Sequence, residues 1–157
     1  MVKATQIMGN NFHGPAVVRK HLGINLGHDK RFKTVPFSAQ ELSAVAGTHV
    51  LVAVPAVSIM DIHTKAAQAF YSQSDPWYGE RWQEFAYAEL EPGWYLVRKD
   101  EVPDSTSKRW NEQAAMVAEP DFVPEANLAV YAWVLHYLAT DERMFAHNWV
   151  RTNSVTA

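Results

Sequence analysis

The chain has 157 residues, of which 48% are apolar, 12% are aromatic and 20% are charged. This composition supplies enough apolar side chains for a core and excludes an intrinsically disordered chain. The absence of cysteine excludes disulfide bonds, a thiolate zinc site and a cysteine nucleophile. The length suits one domain, and we expect a single domain over residues 1–157.

The net charge of −3 is distributed unevenly along the chain. Residues 1–40 carry six basic side chains and one acidic one, a net charge of +5, whereas the remainder carries eight basic and sixteen acidic ones, a net charge of −8. Such a difference is typical of a basic arm for nucleic acid or an acidic partner, or of two parts of one fold that attract each other. The basic segment 1–40 could also form a small helical subdomain.

Two helices are predicted in the first third of the chain. Pro15 suits the first position of a helix and Gly23 suits the residue after its last turn, which predicts a helix between them. Ser38 and Glu41 have the spacing of a capping box and predict a second helix directly after Ser38. The basic segment 25–36 between the two helices is predicted to be a loop.

A buried strand and a third helix are predicted next. The run HVLVAV at 49–54 is apolar, rich in β-branched residues and bounded by a glycine and a proline, which indicates a buried strand. Ser58 and Asp61 predict the start of a third helix, whose apolar face continues to Phe70.

The second half of the chain has weaker local signals. Residues 82–90 fit a helix and a strand equally well, and WYLVR at 94–98 is predicted to be the second strong strand. Residues 104–107 are predicted to cap a helix over 108–117, and residues 149–152 are predicted to form a last short strand. The side chains predicted to face inward from the 108–117 helix are Trp110, Ala114 and Val117.

The most distinctive segment is LAVYAWVLHYLA at 128–139, in which His136 is the one residue that is neither apolar nor aromatic. A helix that is apolar on every side must be surrounded by protein or lipid, and a bilayer needs about 20 residues. We therefore predict a buried central helix near 125–140, with His136 as a hydrogen-bonded polar group at the edge of the core. The residues expected in the core are Leu128, Tyr131, Ala132, Leu135 and Leu138.

Strands separated by helices predict an α+β fold, in which a small mixed or antiparallel β-sheet packs against several helices. The N-terminus lacks the continuous apolar run of a signal peptide, and no segment is long enough to span a membrane. With the absence of cysteine, these features favour a soluble cytoplasmic protein.

Several phrases of the sequence resemble those of a family of uncharacterised bacterial proteins. They are GNNFHGP at 9–15, FYSQSDPWY at 70–78, PGWYLVRK at 92–99, DSTSKRWNEQ at 104–113 and VRT at 150–152. The resemblance covers most of the chain and implies a bacterial protein, but it supplies no activity, cofactor or catalytic residue. It also implies that further residues follow the VRT phrase.

The first candidate site is an anion site in the segment 98–109. Backbone N–H groups at a helix start, hydroxyl groups and cations would together suit a phosphate or a carboxylate. The alternative is that the hydroxyl groups cap the helix and the cations are solvated, which Asp104 favours because it would repel an anion. The candidate residues are Arg98, Ser105, Thr106, Ser107, Lys108 and Arg109.

The second candidate site is a metal site formed by His136, Glu142 and His147, since imidazole and carboxylate groups bind transition metals. The further candidate ligands are Asp141, Asp61 and His63. No two histidines have the four-residue spacing of a helical zinc motif, which makes a hydrogen-bonded core histidine the better interpretation of His136.

A third feature is a concentration of aromatic residues between positions 70 and 95. These side chains could form a protein-binding patch or, with the basic segment 1–40, a stacking surface for single-stranded nucleic acid. The alternative, which we favour, is that they cover the small sheet. The residues are Phe70, Tyr71, Trp77, Tyr78, Trp82, Trp94 and Tyr95.

The sequence contains no G-x-S-x-G elbow and no glycine-rich phosphate loop, and it predicts neither a catalytic residue nor a cofactor. We therefore favour a non-enzymatic domain that binds a protein partner, a second copy of itself or a small ligand. The first alternative is an enzyme or an anion-binding protein that uses the segment 98–109. The second is weak nucleic-acid binding through residues 1–40, against which the acidic remainder of the chain counts.

Overall fold

The computed structural model describes residues 1–70, 84–146 and 150–153. Within these ranges, seven α-helices and one three-stranded sheet form an α+β fold, as predicted. In chain order the elements are α1 (Val2–Met8), β1 (Phe12–His13), α2 (Pro15–Leu22), α3 (Ala39–Val45), β2 (His49–Val54), α4 (Ile59–Ala66), α5 (Glu84–Tyr87), β3 (Gly93–Arg98), α6 (Trp110–Met116) and α7 (Ala126–Thr140). Short 3-10 turns occupy Gly9–Asn11, Lys30–Phe32 and Ala67–Ala69.

The sheet is mixed and has β2 at its centre. β2 pairs in parallel with β1, where Phe12 lies opposite Leu51, and in antiparallel with β3, where Val50 lies opposite Val97. All six residues of β2 are buried, which explains why its sequence is a continuous apolar run and not an alternating one. The predicted strands at 49–54 and 94–98 are both confirmed.

β1 is only two residues long, so side chains complete the remainder of that edge of β2. The hydroxyl group of Tyr131 donates a hydrogen bond of 2.6 Å to the carbonyl of Ala53. The side-chain amide of Asn11 donates one of 2.7 Å to the carbonyl of Ala46, shortly before β2. These side chains therefore satisfy the Ala53 and Ala46 carbonyls, which the short partner strand does not reach.

The predicted central helix is confirmed as α7, which contacts α2, α4, α5 and both β1 and β2. It ends at Thr140, and the C-cap residue Asp141 adopts a left-handed conformation with φ 63°. Four of the five predicted core residues are buried, and Leu138 is half-buried. His136 is 0% exposed, so its predicted position at the edge of the core is wrong. The reason is that β1, which has no clear sequence signal, places His13 directly against it.

The predicted helix over 108–117 is shorter and more exposed than expected. Asp104 and Ser107 both have φ 60°, so the segment 104–107 is a turn and not the first turn of a helix. α6 begins at Trp110, with Arg109 at its N-cap, and none of its side chains is buried. The predicted capping by residues 104–107 and the predicted inward orientation of Trp110 are therefore wrong.

Two further predictions concern the ambiguous segment and the end of the chain. The described part of residues 82–90 contains a helix, α5, and no strand. Residues 150–152 do not form the predicted last strand, and Trp149 lies outside the described residues. The chain is held there differently, because the backbone N–H of Asn153 donates to the carbonyl of Pro124 at 2.9 Å.

One hydrophobic core includes side chains from Ala4 to Met144, and the helices of the segment 1–40 pack on later elements, α1 on α3 and α2 on α7. Among the described residues, no helix combines the length and the apolar character that crossing a bilayer requires.

Both predicted capping boxes are present. In α4 the Ser58 hydroxyl accepts a hydrogen bond from the Asp61 N–H at 3.1 Å, and the Asp61 carboxylate accepts one from the Ser58 N–H at 2.9 Å. The carboxylate lies among these donors, and its pKa is lowered chiefly by the hydrogen bonds from Ser58.

We expect Ser58→Ala to lower the free energy of unfolding by about 1 kcal/mol, because the first turn of α4 loses its cap. Urea denaturation monitored by circular dichroism measures this change. Ser43→Ala is the control, since that exposed hydroxyl bonds only to the Ala39 carbonyl within α3. Equal losses in the two variants would contradict the assignment of Ser58 as the cap.

Candidate functional site

A pocket of about 470 Å³ lies beside β3, and we call it the β3-edge pocket. Three consecutive strand residues, Leu96, Val97 and Arg98, line it. Successive side chains of a strand point to opposite faces, so a pocket that contacts three residues in a row lies against the outer edge of the strand. The other walls are formed by residues 100–102, 105–108, 121–124 and 150–151 together with Trp110, Gln113, Val117, Ala129, Trp133 and Phe145.

The lining of the β3-edge pocket is mainly apolar and contains four aromatic side chains. The rings of Trp133 and Phe145 pack against each other with their centroids 5.8 Å apart. Trp110 and Phe122 are each 42% exposed although they are large and apolar. A pocket of this size with aromatic walls and exposed apolar side chains has the character of a ligand site, for which about 300–1,000 Å³ is usual.

Two residues that line the pocket have left-handed backbone conformations. Ser107 has φ 60° and Phe145 has φ 49°. A bulky residue rarely adopts this conformation, and strained backbone is concentrated at binding sites in proteins. The strain at Phe145 is held by a hydrogen bond of 3.2 Å from its N–H to the Lys99 carbonyl, directly after β3.

A polar cluster of Arg98, Asp121 and His49 lies at the pocket, which Arg98 and Asp121 line and His49 supports from behind. The Arg98 guanidinium binds the Asp121 carboxylate with two hydrogen bonds, Nε–Oδ1 at 2.7 Å and Nη2–Oδ2 at 2.8 Å. His49 is 1% exposed, and its Nε2 lies 2.9 Å from Asp121 Oδ1, while its Nδ1 lies 2.8 Å from the Thr48 hydroxyl. Because a carboxylate only accepts, Nε2–H donates to Asp121, which leaves Nδ1 of the neutral ring as an acceptor facing the Thr48 hydroxyl.

The charges of this cluster balance within the protein. Burial alone would raise the pKa of Asp121, but the hydrogen bonds and charge of Arg98, followed by those of His49, lower it below its ordinary value. Burial lowers the pKa of His49 although Asp121 opposes this change. The positive charge of Arg98, which lines the pocket, is therefore balanced by the carboxylate of Asp121.

The structure brings together five of the six predicted anion-binding residues in the β3-edge pocket. The five are Arg98, Ser105, Thr106, Ser107 and Lys108. Arg109 is not among the lining residues. The turn is anchored by Gln113, whose side-chain amide donates to the Ser105 carbonyl at 2.7 Å.

Cations and carboxylates both line the pocket. Lys108 and Arg151 are exposed, and the Arg151 guanidinium lies 5.9 Å from the centre of the Trp110 ring. The residues Asp100 and Glu101 also line the pocket. The pocket lining is thus mixed in charge, and Arg151 is the cation that lies beside Trp110.

A second polar cluster lies in the core, where His13 Nε2 is 2.8 Å from His136 Nδ1. His13 is 1% exposed and His136 is 0% exposed. The Nε2 atom of His136 lies 3.4 Å from a Glu142 carboxylate oxygen, which is too long for a strong hydrogen bond but favours a proton on Nε2. His136 Nδ1 then accepts, and His13 Nε2–H donates to it.

Glu142 in turn accepts a hydrogen bond of 3.2 Å from the Lys99 ammonium group, so the cluster extends from His13 to Lys99. Burial, followed by the charges of His136, His21 and Lys99, lowers the pKa of His13 to about 3. Burial also lowers the pKa of His136, against the opposing effect of Glu142. Both imidazoles are therefore neutral at pH 7.

Only two of the three residues of the predicted metal site lie among the described residues. His136 and Glu142 are neighbours, whereas His147 lies outside the described residues. Among residues 1–70, 84–146 and 150–153, no three metal-ligating side chains form a group suited to an ion. Asp61 caps α4 instead, and His63 packs edge-on against Phe70 with ring centroids 4.9 Å apart.

Only some of the aromatic residues between positions 70 and 95 lie among the described residues. Tyr71, Trp77, Tyr78 and Trp82 lie outside the described residues. Trp94 is buried against Phe12 and Phe32. It therefore covers the sheet, as we expected for these aromatic residues, and does not form an exposed patch. The exposed basic residues of the first forty positions are Lys3, Arg19, Lys20, Lys30, Arg31 and Lys33, of which Arg31 pairs with Asp29 at 2.6 Å.

Sequence reasoning missed His13, Asp121 and Trp133 as site residues. His13 lies in a two-residue strand, which is too short to give a periodic signal, and its partner is 123 positions away.

Comparison of the chain with protein-family models, with curated proteins and with solved structures finds no match.

Proposed function

We propose that this protein is a non-enzymatic binding domain whose ligand occupies the β3-edge pocket. The observation that carries the proposal is the exposure of Trp110 and Phe122, each 42%, on a mainly apolar pocket of about 470 Å³. Leaving large apolar side chains in water costs free energy, and a ligand that covers them recovers it. The suitable ligand has an apolar or aromatic part that packs on these rings.

The choice of binding over catalysis rests on the state of the polar groups in the pocket. Arg98 and Asp121 bind each other in a bidentate pair, so neither is held ready for proton transfer to a substrate. The neutral His13–His136 pair is buried in the core and does not line the pocket. The pocket walls provide shape and apolar area more than reactive groups.

An anion-binding protein or an enzyme that uses residues 98–109 is the second candidate. It is favoured by the position of Ser105, Thr106, Ser107 and Lys108 on one wall of the pocket. Asp100, Glu101 and Asp121 line the same pocket and oppose an anion. We therefore propose that any negative charge on the ligand binds near Lys108 and Arg151, beside Trp110.

Nucleic acid is the third candidate. The exposed basic residues of the segment 1–40 favour it, whereas the net charge of −8 on the remainder of the chain opposes it. We also propose a bacterial, cytoplasmic setting, on the family-like phrases of the sequence and the absence of cysteine.

We expect Trp110→Ala to weaken ligand binding about tenfold, because the ligand loses an aromatic contact at the rim of the pocket. The measurement is a nuclear magnetic resonance titration of the ¹⁵N-labelled chain with a library of small aromatic and aliphatic acids and their neutral amides. No side chain of α6 is buried, so this variant is expected to fold normally.

Tyr87→Ala is the matched control, because Tyr87 is 50% exposed but does not line the pocket. It is expected to leave the affinities unchanged. Lys108→Glu separates the two candidates, since it weakens the acids selectively if an anion is bound. Fragments whose shifts map outside the β3-edge pocket, or that bind the Trp110 variant as tightly, would contradict the proposal.

A further inference from the structure

We infer that the β3-edge pocket receives an extended segment of a partner protein, which adds to the sheet as a fourth strand beside β3. This inference rests on the proposed function and names the class of ligand. It follows from the backbone geometry of β3 and from the side chains that border its outer edge.

The hydrogen bond that follows β3 determines which backbone groups point outward. The Lys99 N–H donates to the Thr48 carbonyl at 2.9 Å, one pair beyond His49 and Arg98 in the antiparallel register. In such a ladder, alternate residues bond to the partner strand and the residues between them point away. The N–H and C=O groups of Leu96 and Arg98 therefore point away from β2, toward the pocket that both residues line.

Within the described ranges, these outward groups of Leu96 and Arg98 have no backbone partner. The opposite edge of the sheet differs, because there β1 pairs with Leu51 and Val52 and the Tyr131 hydroxyl bonds to the Ala53 carbonyl. A polypeptide in extended conformation presents N–H and C=O groups with the same two-residue repeat and can complete the ladder. A compact small molecule can form hydrogen bonds with the N–H and C=O groups of only one such residue.

The pocket walls favour a single strand over the edge of a second folded sheet. α7 contributes Ala129 and Trp133 to one wall, and residues 121–124 contribute another, so the edge of β3 lies within a concave site. Two copies of the chain would have to bring these walls together before their β3 strands could pair. A segment without bulky neighbouring elements meets no such obstacle.

The side chains around the edge indicate the sequence that the segment carries. Trp133 and Phe145 form an apolar wall that suits an aliphatic or aromatic side chain. The exposed cation Arg151 lies 5.9 Å from the centre of the Trp110 ring, and the exposed Lys108 also lines the pocket. Both cations complement an acidic side chain. The partner is therefore an extended segment with apolar residues at alternate positions and an acidic residue at the Trp110 end.

The test begins with a phage-displayed library of random dodecapeptides, selected on the full chain and counter-selected on the Trp110→Ala variant. The tightest peptide is then synthesised with an N-methyl group on one backbone nitrogen at a time. In a fourth strand, methylation at alternate residues that face β3 lowers the affinity about tenfold or more, because a ladder bond is lost. Methylation at the intervening residues changes the affinity of the peptide less than about threefold.

Two further readouts accompany this pattern. The amide protons of Leu96 and Arg98 are expected to exchange with solvent more slowly in the complex, whereas that of Tyr95, which faces β2, changes little. Lys108→Glu is expected to weaken binding of an acid-containing peptide and not of its amide analogue. Tyr87→Ala again serves as the control outside the pocket.

Equal effects of N-methylation in both registers, or unchanged exchange at Leu96 and Arg98, would overturn the inference. Binding of small fragments in the pocket without selection of any peptide would overturn it while leaving the proposed function intact. Failure of both fragments and peptides would overturn both proposals. A dimer in sedimentation experiments that protects the same two amides would also overturn it, in favour of a second copy of the chain.

Discussion

Acidification from pH 6.5 to pH 4.5 is expected to destabilise the fold through His13, with a slope that rises to about 1.4 kcal/mol per pH unit below about pH 5.5. The pKa of His13 is about 3 in the folded protein against an ordinary value of 6.5. The unfolded chain therefore takes up this proton first, and the stability that the neutral imidazole provides is complete above pH 6.5 and is lost as the pH falls toward 3. His136 and His49, whose pKa values are also lowered, add to the same trend.

His13→Gln isolates this contribution, because glutamine keeps a donor for His136 Nδ1 but does not titrate in this range. The free energy of unfolding from urea denaturation is measured at intervals between pH 7.5 and 4.5. The carboxylates that begin to take up protons at the lower end are the same in the parent and the variants, so their contribution cancels in the comparison. Below about pH 5.5 the variant is expected to show a pH slope about 1.4 kcal/mol per unit smaller than that of the parent, whatever its absolute stability. His28→Gln, at an exposed position, should keep the parent slope. Identical slopes in all three proteins would refute the buried neutral pair.

Replacing Asp121 with alanine is expected to lower the free energy of unfolding by about 2–3 kcal/mol. The change leaves His49, which is 1% exposed, without its acceptor and leaves the Arg98 charge without a partner. Loss of one member of a fully buried ion pair costs about 3–5 kcal/mol, and the 24% exposure of Arg98 reduces this value. Thermal and urea denaturation at pH 7 measure the change.

The matched control is Asp29→Ala, which removes an ion pair of similar length on the surface, between Asp29 and Arg31. Its effect is expected to be much smaller, because water solvates both partners. The double variant Asp121→Ala with Arg98→Met should recover part of the stability, since the unpaired guanidinium is then absent. If Asp121→Ala were no more destabilising than Asp29→Ala, the cluster would not support the pocket wall.

The parts of the fold that the sequence predicted are those with contiguous signals. Ser38 with Glu41 and Ser58 with Asp61 identified two helix starts, because a cap and its partner lie three residues apart. The run at 49–54 identified the central strand, because burial on both faces requires apolar residues throughout. In each case the local sequence alone determines the local structure.

The parts that it failed to predict depend on distant contacts. β1 is a strand only because β2 lies beside it, and α1 begins without a side-chain cap. The orientation of α6 depends on the turn at Asp104 and Ser107, whose positive φ values have no sequence signature as strong as glycine. Helical spacing therefore suggested that Trp110 is buried, whereas it is exposed at the pocket.

The residues of the candidate site were likewise predictable only where they are contiguous in the sequence. Hydroxyl groups and a cation at 105–108 stood out as a cluster, and the structure places them on one pocket wall. The apolar side of the pocket was not predictable, because an apolar residue in a sequence has the same appearance whether it faces the core or a cavity. Asp121 gave no signal either, since its partners Arg98 and His49 are 23 and 72 positions away.

The position of α7 in the chain has a consequence for the order in which the protein is synthesised and folds. The helix covers the side of the sheet that carries His13, yet it is formed by residues 126–140, long after β1 and β2 have been made. Closing a loop of this length is slow compared with forming local helices. Until α7 has left the ribosome, the apolar run HVLVAV lacks a principal part of its cover, and a segment of this composition is prone to pair with other chains. We therefore expect the apolar segment of β2 to remain partly uncovered until α7 has been made.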